Sequence, residues 1–375
     1  FASNMTAQGN QDSGGVGDFY YTPPTGFLAL CTKNLPDVAV VPSEHFNTIL
    51  YTGTGSSASH TIGFRPNLVW GKKRNATQNH WLINDVGNIN KWLSSDGTGA
   101  EGSEANGTTF DTNGFTTASN DLFYNNGGNY VVWAWKANGS GSANTEGSIN
   151  TTKTSANVAG GFSISTYTGN ATEGATVGHG LSKAPEVVLV KKRSGSSGWY
   201  MYHSALGATK NLELQVNSAV ATTANIWNDT APTADVFSLG NNAAINGTSA
   251  TFVAYAFHSV DGYSKVGSSY TGNGNVDGPF VYTGFRPAWI MIKRTDVADA
   301  WAILDNKRND FNPADDVIKA DDNAAEAANQ YAKTDFLSNG FKLRALGSTV
   351  NNSSTANNYI YLAFAESPFK HSNAR

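Results

Sequence analysis

The stretch that decides the fold is GFRPAWIMIKR, residues 284–294, because the chain contains three versions of it. Residues 63–73 read GFRPNLVWGKK, and residues 180–192 read GLSKAPEVVLVKK. In each version a proline precedes an apolar run that ends in a basic pair. Proline cannot donate to a sheet ladder and therefore favours the entry of a strand. A short apolar run bounded by such breakers is typical of a buried strand.

The same motifs surround each version in the same order. The tripeptide Tyr-Thr-Gly precedes it, and a tryptophan follows it, at Trp81, Trp199 and Trp301. Alternation along the second strand places Asp85, His203 and Asp305 on the same face as these indoles, which we expect to point into the core. An aromatic-rich run closes each copy, at residues 130–135, 252–257 and 359–364. Such runs suit strands that are buried on both faces.

The spacing of the copies predicts an array of small domains rather than a solenoid. The Tyr-Thr-Gly tripeptides begin at Tyr51, Tyr167 and Tyr270, a period far longer than the ~20–50 residues of solenoid repeats. We predict an all-β chain of three tandem β-sandwich modules of the jelly-roll or lectin-like kind, with one short helix near residues 324–332. The predicted boundaries are an N-terminal β arm or end of an upstream domain at 1–44, modules at 45–137, 160–262 and 263–375, and a flexible linker at 138–159.

Composition excludes several classes of protein. The 25 Lys and Arg residues against 29 Asp and Glu give no positive excess, so we predict no nucleic-acid partner. The single cysteine, Cys31, cannot form an intramolecular disulfide. No apolar run approaches the ~20 residues that cross a bilayer, so no membrane insertion is expected. An aromatic content of 11% with few charges is untypical of disorder and suits an extracellular or virion protein.

No motif predicts catalysis or a cofactor. The sequence has neither His-Glu-x-x-His nor Cys-x-x-Cys, so we predict that the chain is not an enzyme and has no cofactor. The only candidates for a structural calcium ion are the acidic pairs Asp315-Asp316 and Asp321-Asp322, which lack the spacing of an EF-hand loop. The basic pairs, which are Lys72-Lys73, Lys191-Lys192 and Lys293-Arg294, are either an anion-binding patch or charges that discourage edge-to-edge aggregation.

The best candidates for ligand binding are aromatic residues that do not recur between copies. A sugar ring packs its C–H face on an exposed aromatic ring, while amide side chains bond its hydroxyls. Trp227, flanked by Asn225 and Asn228, is the first choice on this pattern. The further candidates are Trp92, Phe123, Tyr124 and Tyr331. The alternative is that Asn225-Ile226-Trp227 closes the end of a sandwich.

Residues 17–24 (GDFYYTPP) and 26–36 (GFLALCTKNLP) resemble the end of the SPRY-like segment in tail-fibre proteins of marine bacteriophages. Residues 277–287 (DGPFVYTGFRP) and 361–366 (YLAFAE) resemble the repeated modules that follow that segment. The resemblance implies an extracellular virion protein that recognises a host surface glycan, forms the C-terminal part of a longer polypeptide, and has other virion proteins and a homotrimer as its partners. Two alternatives stay open, a purely structural spacer, collar or capsid-decoration protein and a polysaccharide depolymerase.

Overall fold

A computed structural model of the chain describes residues 6, 8–35, 37–87, 90–103, 107–118, 125–328, 331–353 and 358–371. Within these ranges the regular structure is almost entirely antiparallel β, which confirms the all-β prediction. The described helices are single turns, which are α1 (Ala224–Trp227), α2 (Ala243–Asn246) and the 3₁₀ turns Thr32–Asn34, Pro42–Glu44 and Phe369–His371. No helix in the described ranges has the length and apolar character that spanning a bilayer requires.

The first repeat pairs a large sheet with a smaller one. Its strands are β1 (Phe46–Thr52), β2 (Ala58–Thr61), β3 (Leu68–Lys73), β4 (Trp81–Asn84), β5 (Lys91–Trp92), β6 (Gly102–Ser103), β7 (Thr109–Asp111), β8 (Gly114–Thr117) and β9 (Asn129–Trp135). The large sheet has the order β1-β9-β3-β4, and the smaller sheet has the order β2-β8-β7.

The second repeat has the same plan with extra strands at both edges. Its strands are β10 (Lys153–Asn157), β11 (Phe162–Thr168), β12 (Ala175–Gly178), β13 (Val187–Lys192), β14 (Trp199–His203), β15 (Lys210–Glu213), β16 (Ala221–Thr222), β17 (Val236–Leu239) and β18 (Thr251–Phe257). The large sheet has the order β10-β11-β18-β13-β14-β15-β16, and β12 pairs with β17.

The third repeat has the same plan, with extra strands at one edge only. Its strands are β19 (Ser264–Thr271), β20 (Phe280–Tyr282), β21 (Phe285–Arg294), β22 (Ala302–Asp305), β23 (Asp316–Lys319), β24 (Ala327–Ala328), β25 (Thr334–Leu337), β26 (Gly340–Leu343) and β27 (Asn358–Pro368). The large sheet has the order β19-β27-β21-β22-β23-β24, and the smaller sheet has the order β20-β26-β25. The helix predicted near 324–332 is wrong for the described part of that range, because Ala327–Ala328 pairs with β23 as a strand.

The large sheet of each repeat is apolar on both faces, and the two faces have different partners. One face packs on the smaller sheet of the same repeat, as Val132 does in the first repeat, Val188 in the second and Ile290 in the third. The other face packs into a single cluster that contains side chains of all three large sheets, among them Trp133, Tyr255 and Leu362. We call this cluster the shared core. The repeats are therefore fused around one core, and burial on both faces explains their unbroken apolar strands.

A loop of each repeat accepts a hydrogen bond from a side chain of the following repeat, and a loop of the third repeat accepts one from the first. We call residues 94–101, 213–220 and 319–326 the receiving loops. Trp199 Nε1 of the second repeat donates to Ser94 O of the first at 2.7 Å, and Trp301 Nε1 of the third donates to Glu213 O of the second at 3.1 Å. His80 Nε2 of the first repeat lies 2.9 Å from Lys319 O of the third. The last contact closes the ring without a covalent connection.

The register predicted for the first repeat is wrong by one residue. Asn84 faces Leu68 across the hairpin, just as His203 faces Val187 and Asp305 faces Trp289. Asn84, and not Asp85, is therefore the equivalent of His203 and Asp305. A shift of one residue reverses the faces of a strand. Trp81 is still buried, but it packs in the first repeat's own cluster.

His80 occupies the position that Trp199 and Trp301 occupy in the other repeats, because it stands four residues before Asn84 as they stand before His203 and Asp305. Its Nδ1 accepts a hydrogen bond from Trp70 Nε1 at 2.9 Å, and a carbonyl oxygen only accepts, so Nε2 carries the proton toward Lys319 O. Burial lowers the pKa of His80 to about 3, which keeps the ring neutral.

Two predicted connections differ from the structure. The segment 138–159, predicted as a flexible linker, contains β10, and Ser142 forms a bridge with Thr154. The predicted N-terminal β arm contains no strand within its described residues, only an isolated bridge between Asn10 and Phe19 and two 3₁₀ turns. Asp37 at the end of this arm pairs with Lys370 at 2.6 Å, so the arm meets the end of the third repeat.

Candidate functional site

The first lysine of each basic pair is buried and is not part of an exposed anion patch, and two of the three lysines tether neighbouring repeats. Lys72, Lys191 and Lys293 are all 0% exposed. Lys191 Nζ donates to Thr98 O at 2.9 Å, and Lys293 Nζ donates to Asn217 O at 3.1 Å, so both reach the receiving loop of the preceding repeat. Burial lowers the pKa of each of the three lysines to about 8.

The residues after these lysines reinforce the same seams. Arg193 forms an ion pair with Glu101 at 2.9 Å, and the equivalent Arg74 forms one with Glu326 at 2.7 Å. The seam between the second and third repeats has Thr295 in the arginine position, and the backbone N–H of Val220 donates to its carbonyl. Neither interpretation of the basic pairs from the sequence, anion patch or protection against aggregation, describes this role.

The structure buries the first-choice ligand residue. Trp227 is 2% exposed and lies in the second repeat's own cluster, where its ring meets Tyr202 edge-on. The prediction that it is an exposed loop aromatic is therefore wrong. The helix α1 tucks Ile226 and Trp227 inward, while Asn225 stays exposed and hydrogen-bonds the side chain of Asn242. This agrees with the alternative that the segment closes the end of a sandwich.

The flanking amide and the second tryptophan have structural places as well. Asn228 is half-buried and takes a left-handed conformation, with φ of 52°, at the end of α1. Trp92 is half-buried, and its ring meets Trp81 edge-on with centroids 4.1 Å apart. Phe123 and Tyr124 lie outside the described residues. The structure does not bring the described candidates, which are Trp227, Asn225, Asn228 and Trp92, together into one site.

The acidic calcium candidates are engaged by the protein itself. Asp316 accepts from Asn309 Nδ2 at 3.1 Å, and Asp315 pairs with Lys333 at 3.7 Å. Asp321 accepts the backbone N–H of Trp301 at 2.9 Å, and Asp322 accepts that of Ala324. In the part of the chain that the structure describes, no group of three or more His, Cys, Asp or Glu side chains is placed to hold a metal ion.

Tyr331 is the predicted ligand residue that the structure places at an open pocket. Its side chain is 52% exposed and lines a pocket of about 300 Å³ on the third repeat. Lys319 and Asp322 of the receiving loop line the same pocket, and alanines of residues 324–328 form its apolar wall. A Cβ at Gly347 would collide with Tyr331, so a glycine there lets the chain pack directly behind the ring.

The chemistry of this pocket fits a hydroxylated ligand. A tyrosine ring offers a flat apolar face with a polar tip, while the Lys319 ammonium donates and the Asp322 carboxylate accepts hydrogen bonds. The alanines add small apolar surface without closing the pocket. Reasoning from the sequence found Tyr331 but missed Lys319 and Asp322 as its neighbours, because the receiving loop is identified only by its contacts.

One protein family matches the chain, over residues 41–368, and its description is "Domain of unknown function (DUF7483)". The matched region covers the three repeats and leaves out most of the N-terminal segment. No curated protein and no solved structure matches the chain.

Proposed function

The chain belongs to the DUF7483 family, and we propose that it is a non-enzymatic virion appendage protein of the tail-fibre type that binds a bacterial surface glycan. The observation that carries the binding role is the pocket that the half-exposed Tyr331 lines together with Lys319 and Asp322. The fused repeats support it, because the first repeat holds the receiving loop that borders the pocket: His80 Nε2 lies 2.9 Å from Lys319 O, and Arg74 pairs with Glu326 at 2.7 Å. A site on a rigid scaffold loses little conformational entropy on binding.

The test compares the binding of fluorescently labelled protein to host cells and to a glycan array. Tyr331→Ala should weaken binding at least about tenfold, because an exposed tyrosine at the centre of a site carries much of its binding energy. Tyr282→Ala is the matched control, since Tyr282 is 62% exposed in the same repeat and lies outside the pocket. Equal binding by Tyr331→Ala and the wild type would contradict the glycan role of this pocket.

A second candidate function, a structural contact with other virion proteins or with further copies of the chain, is favoured by the N-terminal segment. Asp12 organises this segment by accepting hydrogen bonds from the backbone of Gly14, Val16 and Ala29. The turn that results exposes five large apolar side chains, which are Tyr20, Tyr21, Phe27, Leu28 and Leu30. Several large exposed apolar side chains in one short segment are typical of a protein–protein contact site.

The two candidates make different predictions for one variant. Leu28→Asp with Leu30→Asp should abolish self-association in light scattering if the segment joins copies of the chain, including the expected homotrimer. The same variant should keep glycan binding if Tyr331 forms the receptor site. The depolymerase hypothesis stays a prediction, and release of reducing ends from host polysaccharide is its measurement.

A further inference from the structure

The free edge of strand β20 carries open backbone groups. Leu343 N–H donates to Pro279 O at 3.1 Å, and Thr283 N–H donates to Asn339 O at 3.0 Å. Ladder bonds of an antiparallel pair involve alternate residues of a strand, so the N–H and C=O of Phe280 point away from β26. In the ranges that the structure describes, neither group has a hydrogen-bond partner. Strand β20 can therefore pair with one more strand.

The second repeat shows what this edge accepts. Thr176 takes the place of Phe280 there, because each precedes the valine that pairs with a phenylalanine of the neighbouring strand. Thr176 O accepts the Ile149 N–H at 2.9 Å, and the Thr176 N–H donates to Ser148 Oγ at 2.9 Å. Ile149 forms a parallel bridge with Val177 and is 7% exposed. The fold therefore accepts an added segment at this edge, and in the second repeat the chain itself supplies it.

The third repeat has no equivalent segment, because six residues, 258–263, join β18 directly to β19. Its edge is also more apolar. Phe280 is 45% exposed and its ring lies against Gly340, whereas the first repeat has Ser59 at this position. An edge strand that combines open backbone groups with an exposed aromatic ring is a template for the addition of another chain.

The N-terminal segment contains a run that suits this edge. Residues 27–31 read FLALC, an apolar sequence that forms no strand in the structure. The Ala29 N–H donates to Asp12 Oδ2 at 2.6 Å, which anchors the run. The backbone groups of Leu28 and Leu30 have no hydrogen-bond partner among the described residues, and both side chains are exposed. The run therefore offers apolar side chains and open backbone groups together.

The distribution of exposed apolar side chains points to a second copy of the chain as the partner. Fifteen large apolar side chains are exposed among the described residues. Five of them lie in the N-terminal segment and seven in the third repeat, whereas the second repeat has one, Val158. Each copy thus presents one apolar run and one apolar edge that its own chain leaves uncovered. Association of copies covers both.

We propose that residues 28–30 of one copy add as a strand to the free edge of β20 in a second copy. The backbone of Leu28 bonds that of Phe280, and the leucine side chains pack against the Phe280 ring. The proposal rests on the second candidate function, in which the N-terminal segment joins copies of the chain, and it names the surface that receives this segment. The contact joins two different surfaces, so it repeats head to tail and can close into a ring such as the expected trimer.

The experiment measures self-association of the full chain by light scattering and sedimentation over a range of concentrations. Phe280→Pro removes the free N–H and leaves the ladder to β26 intact, so it should weaken association about tenfold or more and keep the circular dichroism of the fold. Phe280→Ser, which copies Ser59, should weaken association as well and serves if the proline variant does not fold. Ser59→Pro is the matched control, because it makes the same change at the equivalent edge of the first repeat, and it should associate as the wild type does.

A mixture of two variants tests the head-to-tail geometry. Leu28→Asp with Leu30→Asp loses the donated strand and keeps the edge, whereas Phe280→Pro loses the edge and keeps the strand. At a concentration where the wild type associates, each variant alone should be largely monomeric. Their equimolar mixture should form a 1:1 dimer, because one intact strand meets one intact edge.

The outcomes separate this proposal from the function on which it rests. Wild-type association by the folded Phe280 variants, or a mixture that stays monomeric, would overturn the β20 contact. The second candidate function would still stand in that case if Leu28→Asp with Leu30→Asp abolishes association. A monomeric wild type would overturn both, and the glycan role of Tyr331 has its own test.

Discussion

At the scale of single residues, the buried Lys191 and Lys293 show how this chain joins its repeats. A lysine is costly to bury, and the cost is offset here because the ammonium donates to backbone carbonyls on both sides of a seam. Lys191 also donates to Ser197 O at 2.5 Å, and Lys293 to Asp299 O at 2.7 Å. Each of these two lysines therefore joins its own hairpin to the receiving loop of the preceding repeat.

The lowered lysine pKa predicts how stability changes with pH. The pKa of Lys191 is about 8 in the folded protein and 10.5 as its ordinary value. Between these values the unfolded chain holds a proton that the folded chain does not, so the free energy of unfolding rises with pH. In Lys191→Met the rise between pH 7.5 and 9.5, measured by urea denaturation, should be smaller by about 2 kcal/mol.

The neighbouring lysine provides the control for this measurement. Lys192 is half-buried beside Lys191 and makes no such tether in the described structure. Lys192→Met should therefore keep the pH dependence of the wild type. An unchanged slope in Lys191→Met would show that burial of this ammonium does not govern its protonation.

At the scale of elements, the register of β4 shows what the sequence could and could not predict. Trp199 and Trp301 stand 14 residues after their turn prolines, whereas Trp81 stands 15 residues after Pro66. Matching by residue type aligned the three tryptophans, but strand pairing depends on position. The residue at the conserved distance is His80, which takes the equivalent place in the structure. The distance of 14 residues from the turn proline was therefore the feature of the sequence that predicts the register of β4.

Arg193 and Glu101 form an ion pair between two repeats, and we expect the effects of their substitutions on stability to be coupled. Both side chains are mostly buried, at 16% and 13% exposure, so removal of one partner leaves the other uncompensated. Glu101→Val should lower the free energy of unfolding by about 2 kcal/mol. Adding Arg193→Thr should restore about half of that loss, because the two positions then copy Val220 and Thr295 at the seam between the second and third repeats. Urea denaturation of the four proteins in the cycle is the measurement, and additive losses would contradict the coupling.

At the scale of the whole molecule, the sequence predicted three copies of one β plan but not their fusion. In β9 the neighbouring residues Val131 and Val132 point to opposite faces and are both apolar, so both faces of the large sheet must pack against other elements. This pattern does not show whether the element that packs on the second face belongs to the same repeat or to another one. Trp227 and Tyr331 illustrate the same limit, because both are aromatics in variable segments, yet one is buried and the other exposed. Contacts between distant residues decide such cases.

Because the repeats form a closed ring of contacts, we predict that a circular permutant, with the present ends joined and new termini placed between two repeats, still folds. Lys370 and Asp37 form an ion pair at 2.6 Å, so residues 371 and 37 can be joined by about six glycine and serine residues, which reach roughly 13 Å. New termini between Ser140 and Gly141 then open the connection of the first two repeats. Because the seam there keeps Trp199, Lys191 and Arg193 in place, this permutant should fold, with a Tm within about 5 °C of the chain beginning at residue 37. A second permutant opened between Val253 and Ala254, inside the central strand β18, should fail to fold. Loss of the β-sheet circular dichroism signal in the first permutant would show that the covalent connection, and not the ring of contacts, holds these repeats together.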